Sequence, residues 1–424
     1  MNKKIKKEYW MVVLAGCGLI GTALGMGVNL AGLFFTAIAS DLGIGRGTVA
    51  LNLTIYNLVM AFTGMIAPRY VRRFGIKKMV LFGTILQVGA TFLLSLCPNV
   101  GYLYALNVLR GFSAGLIGMV TVTIMINYWF SKNNALMTSI CMGFSGLVSA
   151  LLSTTISSVI STGGWRKGYV VVALLSAIFN LPALLLPIAL KPQMKQLLPF
   201  GDDGIIPEAR AAEKQESSSR ESRKEQTKTI EAAKSSVPPI AILPFFLMLV
   251  YAFFNSGVSS LSQHFTGISE SYGVATTGAL MVSACMVTNT GGKVLLGALI
   301  DRFGARRSIS VFSCCVVAAG LVLAFTRNST VMITAAAFYG LAYAVATVAL
   351  AMLTREIFGS ANYSRVYPKM TLASSLGTAS FTPIAGFIFD LTGSYTPVIL
   401  LLAGLAAASF ALMHTVYILH QGRF

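Results

Sequence analysis

Two related stretches decide the fold of this chain: Arg72-Arg73-Phe74-Gly75-Ile76-Lys77-Lys78 and, 229 residues later, Asp301-Arg302-Phe303-Gly304-Ala305-Arg306-Arg307. Each contains a Phe-Gly pair flanked by basic residues, and each stands between two long apolar segments. Because glycine is a strong signal for a turn, each stretch predicts a short basic turn between two helices. The recurrence predicts a chain made of two similar halves.

Composition places these halves in a membrane. Of the 424 residues, 55% are apolar and 11% are charged, whereas soluble domains usually have about 25% charged residues. A bilayer core needs roughly 20 apolar residues per spanning helix. Twelve segments meet that length: 10–39, 48–68, 79–97, 101–128, 134–158, 165–190, 240–264, 274–300, 308–326, 329–353, 366–390 and 396–419. We predict an all-α membrane protein with twelve transmembrane helices in two six-helix pseudo-symmetric bundles.

The uneven placement of basic residues predicts the orientation of the bundles. The net charge is +18, and 26 of the 32 lysines and arginines fall on one side of the predicted helices, against four on the other. Without the long loop 191–239 the excess is still 17 against four. Because basic loops stay in the cytoplasm, we expect both termini there, in a multi-pass protein of the cell membrane. The basic excess favours contact with anionic lipid and does not indicate nucleic acid.

Residues 191–239 form a charged linker between an N-terminal bundle, 1–190, and a C-terminal bundle, 240–424. The linker contains 17 of the 46 charged side chains of the chain. Its composition, rich in Glu, Lys, Ser and Ala, favours either a surface helix or disorder. We interpret the linker as a tether, with a regulatory role as the alternative.

The repeat of apolar helices also predicts a function. Such repeats are typical of transporters, in which two similar bundles rock about a site held between them. We find no pair of nucleophile and base, no metal-binding set and no cofactor motif, so we do not expect an enzyme or a bound cofactor or metal. The six cysteines show neither disulfide-framework nor metal-site spacing: Cys17, Cys97, Cys141, Cys285, Cys314 and Cys315.

The second basic turn, with Gly297 four residues before Asp301, resembles the signature loop of the major facilitator superfamily. This resemblance implies the twelve-helix fold of that superfamily, and a conformational latch between helix ends on the cytoplasmic side. The residues of the latch would be Asp301, Arg302, Gly304, Arg306 and Arg307, with Arg73 and Gly75 in the first copy. The first copy has Pro68 and Arg72 in place of the glycine and the acid, so we expect the N-terminal half to close less firmly.

Three more motifs resemble the monocarboxylate transporter family and its bacterial relatives, which include oxalate–formate antiporters. They are 127–132 ahead of a helix with two glycines, Gly164-Trp165-Arg166, and Pro383-x-x-Gly386-x-x-x-Asp390-x-x-Gly393-Ser394-Tyr395. The resemblance covers both halves and excludes the linker. It implies transport of small organic anions, chiefly monocarboxylates, with a proton or a counter-anion as the coupled partner. We expect a monomer.

Two basic residues, Lys293 and Arg110, fall well inside predicted helices, and no acidic residue falls in the middle of one. A charge at the bilayer centre costs about 2.5–3.5 kcal/mol, so each must face water, a partner or a substrate. Lys293 has no acid to pair with, and it lies one turn after Asn289 on the same helix face. This pair suits a carboxylate. The alternative is that Lys293 snorkels toward the cytoplasm, although about 12 Å of helix separates it from that end.

The family resemblance assigns roles to the same positions. Helix 8 of these transporters typically carries an arginine that binds the substrate carboxylate, and Lys293 falls on that position. Asn289 replaces an aspartate that takes part in proton coupling in animal members, and it cannot titrate. Ser374 replaces the second cation of the oxalate–formate antiporter, so a monoanion is favoured over a dianion. For Arg110, which opens a glycine-rich motif of helix 4, we expect either bonds to carbonyls at a helix break or positive potential in the cavity.

The remaining candidates for substrate contact are polar residues on helices that usually line the cavity of this superfamily, or next to them: Asn29, Tyr56, Asn57, Asn255, Tyr339 and Tyr343. For each, an ordinary interhelical hydrogen bond is the alternative. We expect His264 at the membrane interface, near the outer end of helix 7, and not in a proton relay.

The sequence thus predicts an alternating-access transporter in which a small carboxylate pairs with Lys293 in a central cavity. One alternative is an efflux or uptake carrier of the same fold for amphipathic or zwitterionic compounds. Cation efflux pumps usually need a carboxylate in the membrane, and here we expect none. The other alternative is a membrane sensor that binds a carboxylate without moving it, which the lack of a folded output domain disfavours.

Overall fold

The fold is described from a computed structural model of the chain, which covers residues 7–130, 134–186, 189, 192–195, 197–200 and 242–421. Twelve helices account for nearly all of these residues. They are α1 (Lys7–Asn29, continued by Ala31–Leu42), α2 (Arg46–Phe74), α3 (Ile76–Leu94), α4 (Val100–Trp129), α5 (134–163), α6 (165–185), α7 (Ile242–Ser271), α8 (Thr277–Phe303), α9 (Ala305–Phe325), α10 (Ser329–Gly359), α11 (360–392) and α12 (Thr396–Gln421). The all-α, twelve-helix prediction is confirmed.

The helices are long and apolar enough to cross a membrane. Eleven helical stretches of the described chain meet that length and composition, and one of them, Leu136–Leu185, divides at Gly164 into α5 and α6. Several helices run beyond the predicted apolar segments: α2 continues through Pro68 to Phe74, and α11 begins at 360. Hydropathy marks only the part of a helix that lies in hydrocarbon, whereas backbone hydrogen bonds continue into the polar interface.

The helix α6 ends earlier than the segment 165–190 that the sequence predicts. The ammonium group of Lys77 donates hydrogen bonds to the carbonyl oxygens of Leu184 (3.1 Å) and Leu186 (2.5 Å). These carbonyls have no partner within the helix, and a basic side chain at a helix C-terminus satisfies them. A residue of the first basic turn therefore closes a helix more than 100 positions away.

The internal repeat extends well beyond the two basic turns. Three pairs of glycines with positive φ occupy corresponding turns of the two halves, 229 or 230 residues apart: Gly43 and Gly273, Gly75 and Gly304, and Gly164 and Gly393. The Gly75 and Gly304 turns also share the sequence Arg-Phe-Gly, whereas the other two pairs share little beyond the glycine. The recurrence of positive-φ glycines at a nearly constant spacing therefore extends the pseudo-symmetry to turns whose residue types differ.

One of these glycines provides a test of the turn geometry. Gly304 has φ 84° and ψ 156°, a region essentially closed to other residues. We expect Gly304→Ala to lower the free energy of unfolding by about 1–3 kcal/mol, as measured by thermal unfolding in detergent. Gly297 is the control, because it lies inside α8 and a Cβ there would meet open space. Gly297→Ala should be neutral or stabilising, and an equal loss in both variants would contradict this account.

The two halves meet mainly along two pairs of helices, α2 with α11 and α5 with α8, and α1 and α7 also touch. Near the start of α2, Gly47 and Gly386 are so close that a Cβ on Gly386 would lie 2.6 Å from the Cα of Gly47. We call this end of the molecule, with the α1–α2, α7–α8 and α11–α12 turns, the gate face. The opposite end, with the α2–α3 and α8–α9 turns, is the basic face.

The first residues of the predicted linker pack against the N-terminal half. The Tyr9 hydroxyl donates to the carbonyl oxygen of Leu198 (2.6 Å), and the Phe200 amide donates to the carbonyl oxygen of Trp129 (2.8 Å). The rings of Tyr9, Trp129, Phe130 and Phe200 form one aromatic cluster. Residues 201–241, to which the surface-helix or disorder prediction applies, lie outside the described residues.

Candidate functional site

A cavity of about 350 Å³ lies between the two halves. Helices α1, α2 and α4 form one wall, and α7, α10 and α11 form the other. The lining residues are Leu24, Val28, Leu53, Asn57, Met60, Ala61, Gly64, Ala114, Gly115, Met119, Val120, Ser256, Ser259, Ser260, Gln263, Tyr343, Ala346, Thr347, Ser374, Ser375 and Thr378. Of the predicted site residues, the cavity brings together Asn57, Tyr343 and Ser374.

The two walls differ in chemistry. The wall from the N-terminal half is apolar except for Asn57, with leucine, valine and methionine side chains. The wall from the C-terminal half carries serine and threonine hydroxyls, Tyr343 and Gln263. This polar wall was not among the features predicted from the sequence. Its signal was the spacing of Ser256, Ser260 and Gln263, at intervals of four and three residues, which places them on one helix face.

The hydroxyls of the polar wall donate mainly to backbone. Ser259 donates to the carbonyl oxygen of Ser256 (2.7 Å), Ser260 to that of Gly257 (2.6 Å), and Thr347 to that of Tyr343 (2.7 Å). The hydroxyls of Ser256 and Ser374 bond each other across α7 and α11. Because a hydroxyl has one donor and two acceptor sites, these groups mainly offer acceptors to the cavity. Such a wall suits neutral polar groups better than a carboxylate.

Lys293 is half-buried on α8, and among the described residues it makes no hydrogen bond or ion pair. Asn289, one turn before it, is 3% exposed. The Asn289 amide nitrogen contacts only the Met286 sulfur, at 3.6 Å, and its amide oxygen has no partner. A buried amide without partners is costly. Asn289 and Lys293 therefore form a polar patch inside the bundle whose hydrogen-bonding groups lack nitrogen or oxygen partners among the described residues. The Lys293 ammonium and the Asn289 amide nitrogen are donors, and the Asn289 amide oxygen is an acceptor.

Lys293 does not line the 350 Å³ cavity, but it lies at a similar depth. Gly340 of α10 packs against Cys285 of α8, since a Cβ on Gly340 would lie 2.3 Å from the carbonyl oxygen of Cys285. Both helices run from the gate face to the basic face. At about 1.5 Å per residue, Lys293 lies about 12 Å from that contact toward the basic face. Thr347, which lines the cavity, lies about 10 Å from it in the same direction.

Arg110 lies inside the N-terminal bundle and not at the central cavity. Its Nε donates to the Thr91 hydroxyl (3.0 Å) and its Nη1 to the Asn107 amide oxygen (2.8 Å). The guanidinium group lies 5.3 Å from the ring centroid of Tyr56 and 5.9 Å from that of Tyr169. A void of about 10 Å³ adjoins it, enough for about one water. We expected Arg110 either to bond carbonyls at a helix break or to add positive potential to the cavity. Its hydrogen bonds go to side chains and not to such carbonyls.

These contacts indicate that Arg110, on α4, holds α2, α3 and α6 together. We expect Arg110→Ala to lower the free energy of unfolding by about 2–4 kcal/mol, from two lost hydrogen bonds and the aromatic contacts. Thermal unfolding in detergent measures this effect, and the exposed Arg302→Ala is the control. An unchanged melting temperature for Arg110→Ala would remove the structural role and favour a direct role at the substrate.

The other predicted candidates are placed between helices. The Tyr56 hydroxyl donates to the carbonyl oxygen of Ala23 (2.7 Å), and that of Tyr339 to the carbonyl oxygen of Val258 (2.9 Å). The Asn29 amide has a long contact of 3.5 Å to the carbonyl oxygen of Ser145, and the Asn255 amide nitrogen is buried without a partner. None of these four residues lines the cavity in the described part of the chain. Their contact with substrate stays a prediction.

The gate face is closed by an acid from one half and a helix terminus from the other. Asp390, at the end of α11, accepts hydrogen bonds from the backbone amides of Arg46 and Gly47, both at 2.8 Å. These amides are the first of α2 and have no partner within that helix. A carboxylate at a helix N-terminus also interacts favourably with the helix dipole. Asp390 therefore joins the C-terminal half to the N-terminal half.

The Arg46 side chain adds further contacts to this closure. It donates to the Tyr395 hydroxyl (3.1 Å) and the carbonyl oxygen of Gly267 (3.3 Å), and it lies 3.6 Å from the carboxylate of Glu270. Its guanidinium group stacks 4.2 Å from the ring centroid of Phe389. Every one of these partners belongs to the C-terminal half. The residues Arg46, Glu270, Asp390 and Tyr395 are hereafter called the gate cluster.

A second acid on the same face has a different role. Asp41 accepts hydrogen bonds from Arg166 (2.5 Å) and from the Trp165 indole (3.0 Å), all within the N-terminal half. These two donors hold the pKa of the Asp41 carboxyl below its usual range. The motif Gly164-Trp165-Arg166 therefore anchors the end of α1 and does not contribute to the contact between halves.

The predicted latch on the basic face is not engaged in this structure. Asp301, Arg302, Arg307 and Arg73 are exposed, and no hydrogen bond or ion pair within the described ranges joins the two halves at that face. Arg306 lies 5.9 Å from the ring centroid of Tyr417, in its own half. Gly75 and Gly304 form the positive-φ turns described above. The role of these residues as a latch stays a prediction.

The prediction for His264 is wrong. We expected it at the membrane interface, but it is 1% exposed between the halves. Its Nε2 lies 2.9 Å from the carbonyl oxygen of Thr382, and its ring packs on Phe35 and Tyr395. Sequence position alone placed it near a helix end, whereas the pairing of α7 with α1 and α11 buries that end.

Known proteins with similar sequences share this architecture. The family model described as the Major Facilitator Superfamily matches residues 17–367 and, in a second match, 240–421. Multidrug resistance protein 2 of Bacillus subtilis (strain 168) is 22% identical over 401 residues, covering 93% of this chain and 92% of that protein. Monocarboxylate transporter 12 of Xenopus laevis is 23% identical over 406 residues, covering 92% of this chain and 85% of that protein.

A solved structure of a mutant nucleoside transporter NupG superposes with a TM-score of 0.70 at 11% identity, over 97% of this chain and all of that chain. At such identity the superposition shows the fold alone. The family match over most of the chain agrees with the observed architecture, which has two six-helix halves and a cavity between them. This chain is a multi-pass membrane protein of the transporter type and belongs to the Major Facilitator Superfamily.

Proposed function

We propose that the protein is an alternating-access transporter of small organic anions, chiefly monocarboxylates. The observation that carries the proposal is Lys293, a cation inside the bundle without an acidic partner in the described chain. Such a charge is costly in a membrane, and a bound carboxylate would offset that cost. The neighbouring Asn289 has an unpaired amide oxygen and a weakly bonded amide nitrogen that can donate to the same anion.

The chemistry of the two cavity walls suggests how the substrate is oriented. The hydroxyl wall mainly offers acceptors, so a carboxylate gains little there and is better placed toward Lys293. At about 30 Å³ per water-sized group, the 350 Å³ cavity has room for about a dozen groups. We infer that a substrate with an apolar side facing α1 and α2 and a neutral polar side facing α7 and α11 fits best.

Orientation and coupling form part of the proposal. The excess of basic residues on the basic face favours a cytoplasmic location of that face in a cell membrane. The gate face is then external. Because it is closed, the cavity can be reached only from the cytoplasmic side. Coupling through an acid at position 289 is ruled out chemically, because Asn289 does not titrate. A counter-anion, or a proton carried by another route, is the expected coupled partner of a monomeric carrier.

A second candidate function is a carrier of amphipathic or zwitterionic compounds. The apolar wall of α1, α2 and α4 favours it, as does the similarity to Multidrug resistance protein 2. The proposals differ in what Lys293 does, since an uncharged amphipathic cargo gains nothing from an unpaired cation, although the anionic group of a zwitterion would. The third possibility, a sensor that binds a carboxylate without moving it, differs in showing binding without flux.

A thermal-shift screen of the purified protein tests the proposal. The ligands are acids of three to ten carbons, each paired with its neutral amide so that only the charge differs. We expect at least one acid to raise the melting temperature while its amide does not, and the same acid to exchange across proteoliposomes. Shifts caused equally by acids and amides would favour the amphipathic carrier, and binding without exchange would favour the sensor.

A further inference from the structure

Helices α1 and α7 lose regular α-helical geometry at corresponding places in the two halves. In α1 a 3₁₀ segment spans Ala31–Phe34, and in α7 one spans Ser259–His264. The repeat distance of 229 to 230 residues brings the first segment onto the second. Short 3₁₀ stretches inside a helix often mark hinges. In this fold the two segments pack on each other between the cavity and the gate cluster.

Gly32 is the point of closest contact between these segments. Its amide donates to the Gln263 side-chain oxygen (3.0 Å), and its carbonyl oxygen accepts from the Thr266 hydroxyl (2.9 Å). A Cβ on Gly32 would lie 2.1 Å from the carbonyl oxygen of Gln263, so no larger residue fits. Both backbone groups of Gly32 are thus bonded by the opposite half of the protein.

Gln263 touches the cavity as well as this contact. It is 3% exposed and belongs to the polar wall of the cavity. Tyr343 lines the same cavity, and its hydroxyl bonds Ser262, the residue before Gln263, at 2.7 Å. One buried side chain therefore lines the cavity and, through its amide oxygen, bonds the backbone of α1.

We propose that Gln263 couples the central cavity to closure of the gate face. In the closed arrangement its amide oxygen holds Gly32, and the orientation of the amide is set by what its nitrogen meets in the cavity. A substrate oxygen, or the Tyr343 hydroxyl, that accepts from this nitrogen fixes the orientation that keeps α1 against α7. When that acceptor is lost, the amide turns and α1 is released. This coupling does not depend on the charge of the cargo, so it stands apart from the proposed carboxylate specificity.

Distances between spin labels across the gate face test the coupling in the intact protein without a substrate. The labels are attached at Ser40→Cys and Ser271→Cys, two exposed positions at the ends of α1 and α7, with Cys314 and Cys315 replaced by serine. We expect a short, closed distance to dominate. Gln263→Met keeps the volume but loses the acceptor, and should raise the open-to-closed ratio about tenfold. Gln263→Glu retains an acceptor oxygen for Gly32 and should stay closed.

Two further variants make the test specific. Ser269→Ala lies farther along α7, and its hydroxyl bonds only the carbonyl oxygens of Thr266 and Ala275 in its own half, so it should not by itself open the gate. Tyr343→Phe removes a hydroxyl from the cavity wall. It should alter the open-to-closed ratio at least threefold when residue 263 is glutamine, but not when it is combined with Gln263→Met. Such non-additivity is the sign of coupling. If Gln263→Met unfolds, Gln263→Leu replaces it.

Three outcomes would overturn the proposal. A folded Gln263→Met protein that keeps the closed distance shows that the amide does not hold the gate. Opening in Gln263→Glu equal to that in Gln263→Met shows that the acceptor oxygen is irrelevant. Equal effects of Tyr343→Phe in both backgrounds show that the cavity wall does not act through Gln263.

Discussion

Replacement of Lys293 by alanine is expected to weaken binding of the transported acid by tenfold to a hundredfold or more. A hydrogen bond to a charged group contributes about 1.5–3 kcal/mol, and the carboxylate left behind would have no cation near it in the described part of the bundle. Lys293→Arg should retain a measurable fraction of transport, because the charge remains while the geometry changes. Counterflow of the acid in proteoliposomes measures both effects.

The stability of the same variants separates binding from folding. Because Lys293 has no partner among the described residues, Lys293→Ala breaks no interaction and removes a costly charge. Its melting temperature should therefore be unchanged or raised, in contrast to that of Arg110→Ala. Lys369→Ala is the matched lysine control, since Lys369 is exposed and stacks on Phe245 away from α8. Full uptake of the acid by Lys293→Ala would remove the proposed site.

Replacement of Asp390 by alanine is expected to open the gate face. The carboxylate accepts two hydrogen bonds from the start of α2, each of the kind that contributes about 1.5–3 kcal/mol. Because Asp390 is exposed, water replaces part of each bond, and we expect a loss of about 2–3 kcal/mol. That loss corresponds to a rise of roughly 30-fold to 150-fold in the open-to-closed ratio. The spin-label pair at positions 40 and 271 reports this ratio.

Asp41 supplies the control for this prediction. It is an exposed acid on the same face and is bonded as well as Asp390, but only within its own half. Asp41→Asn should leave the closed distance unchanged, while Asp390→Asn, which retains one acceptor oxygen and has an NH2 donor in place of the other, should open the gate only in part. Equal opening in the Asp41 and Asp390 variants would mean that net charge on the gate face, and not the cap on α2, controls closure.

Specific residues show why the fold could be predicted but the gate could not. The apolar segments and the repeated basic turns carry a local signal, because a helix in a bilayer must satisfy its own backbone hydrogen bonds. Asp390 and Arg46 stand 344 residues apart and carry no shared local pattern. Nothing in either neighbourhood indicates that the carboxylate of one would cap the helix of the other. Only the packing of α2 against α11 brings them together.

The candidate site divides in the same way. Lys293 and Asn289 were predicted from spacing and from the absence of an acidic partner, both of which are local properties of one helix. Their roles remain predictions. Gln263 and the serines of α7 gave only a weak signal, since serine and glutamine near a helix end have many ordinary explanations. The structure identifies them because they share a cavity with residues of α10 and α11 and contact Gly32 of the other half.

The sequence by itself thus determined the membrane environment, the twelve helices, the two halves and the presence of an unpaired cation on α8. These features follow from hydropathy, repeat distance and charge balance along the chain, which need no knowledge of neighbours. The tertiary structure alone decided which wall of the cavity is polar, that Arg110 lies inside the N-terminal bundle, and that the gate face is closed while the latch on the basic face is not. Each of these features depends on contacts between helices that are distant in sequence. The free energy of such a contact depends on the packing, hydrogen bonds and charges of both surfaces together, which no local stretch of sequence contains.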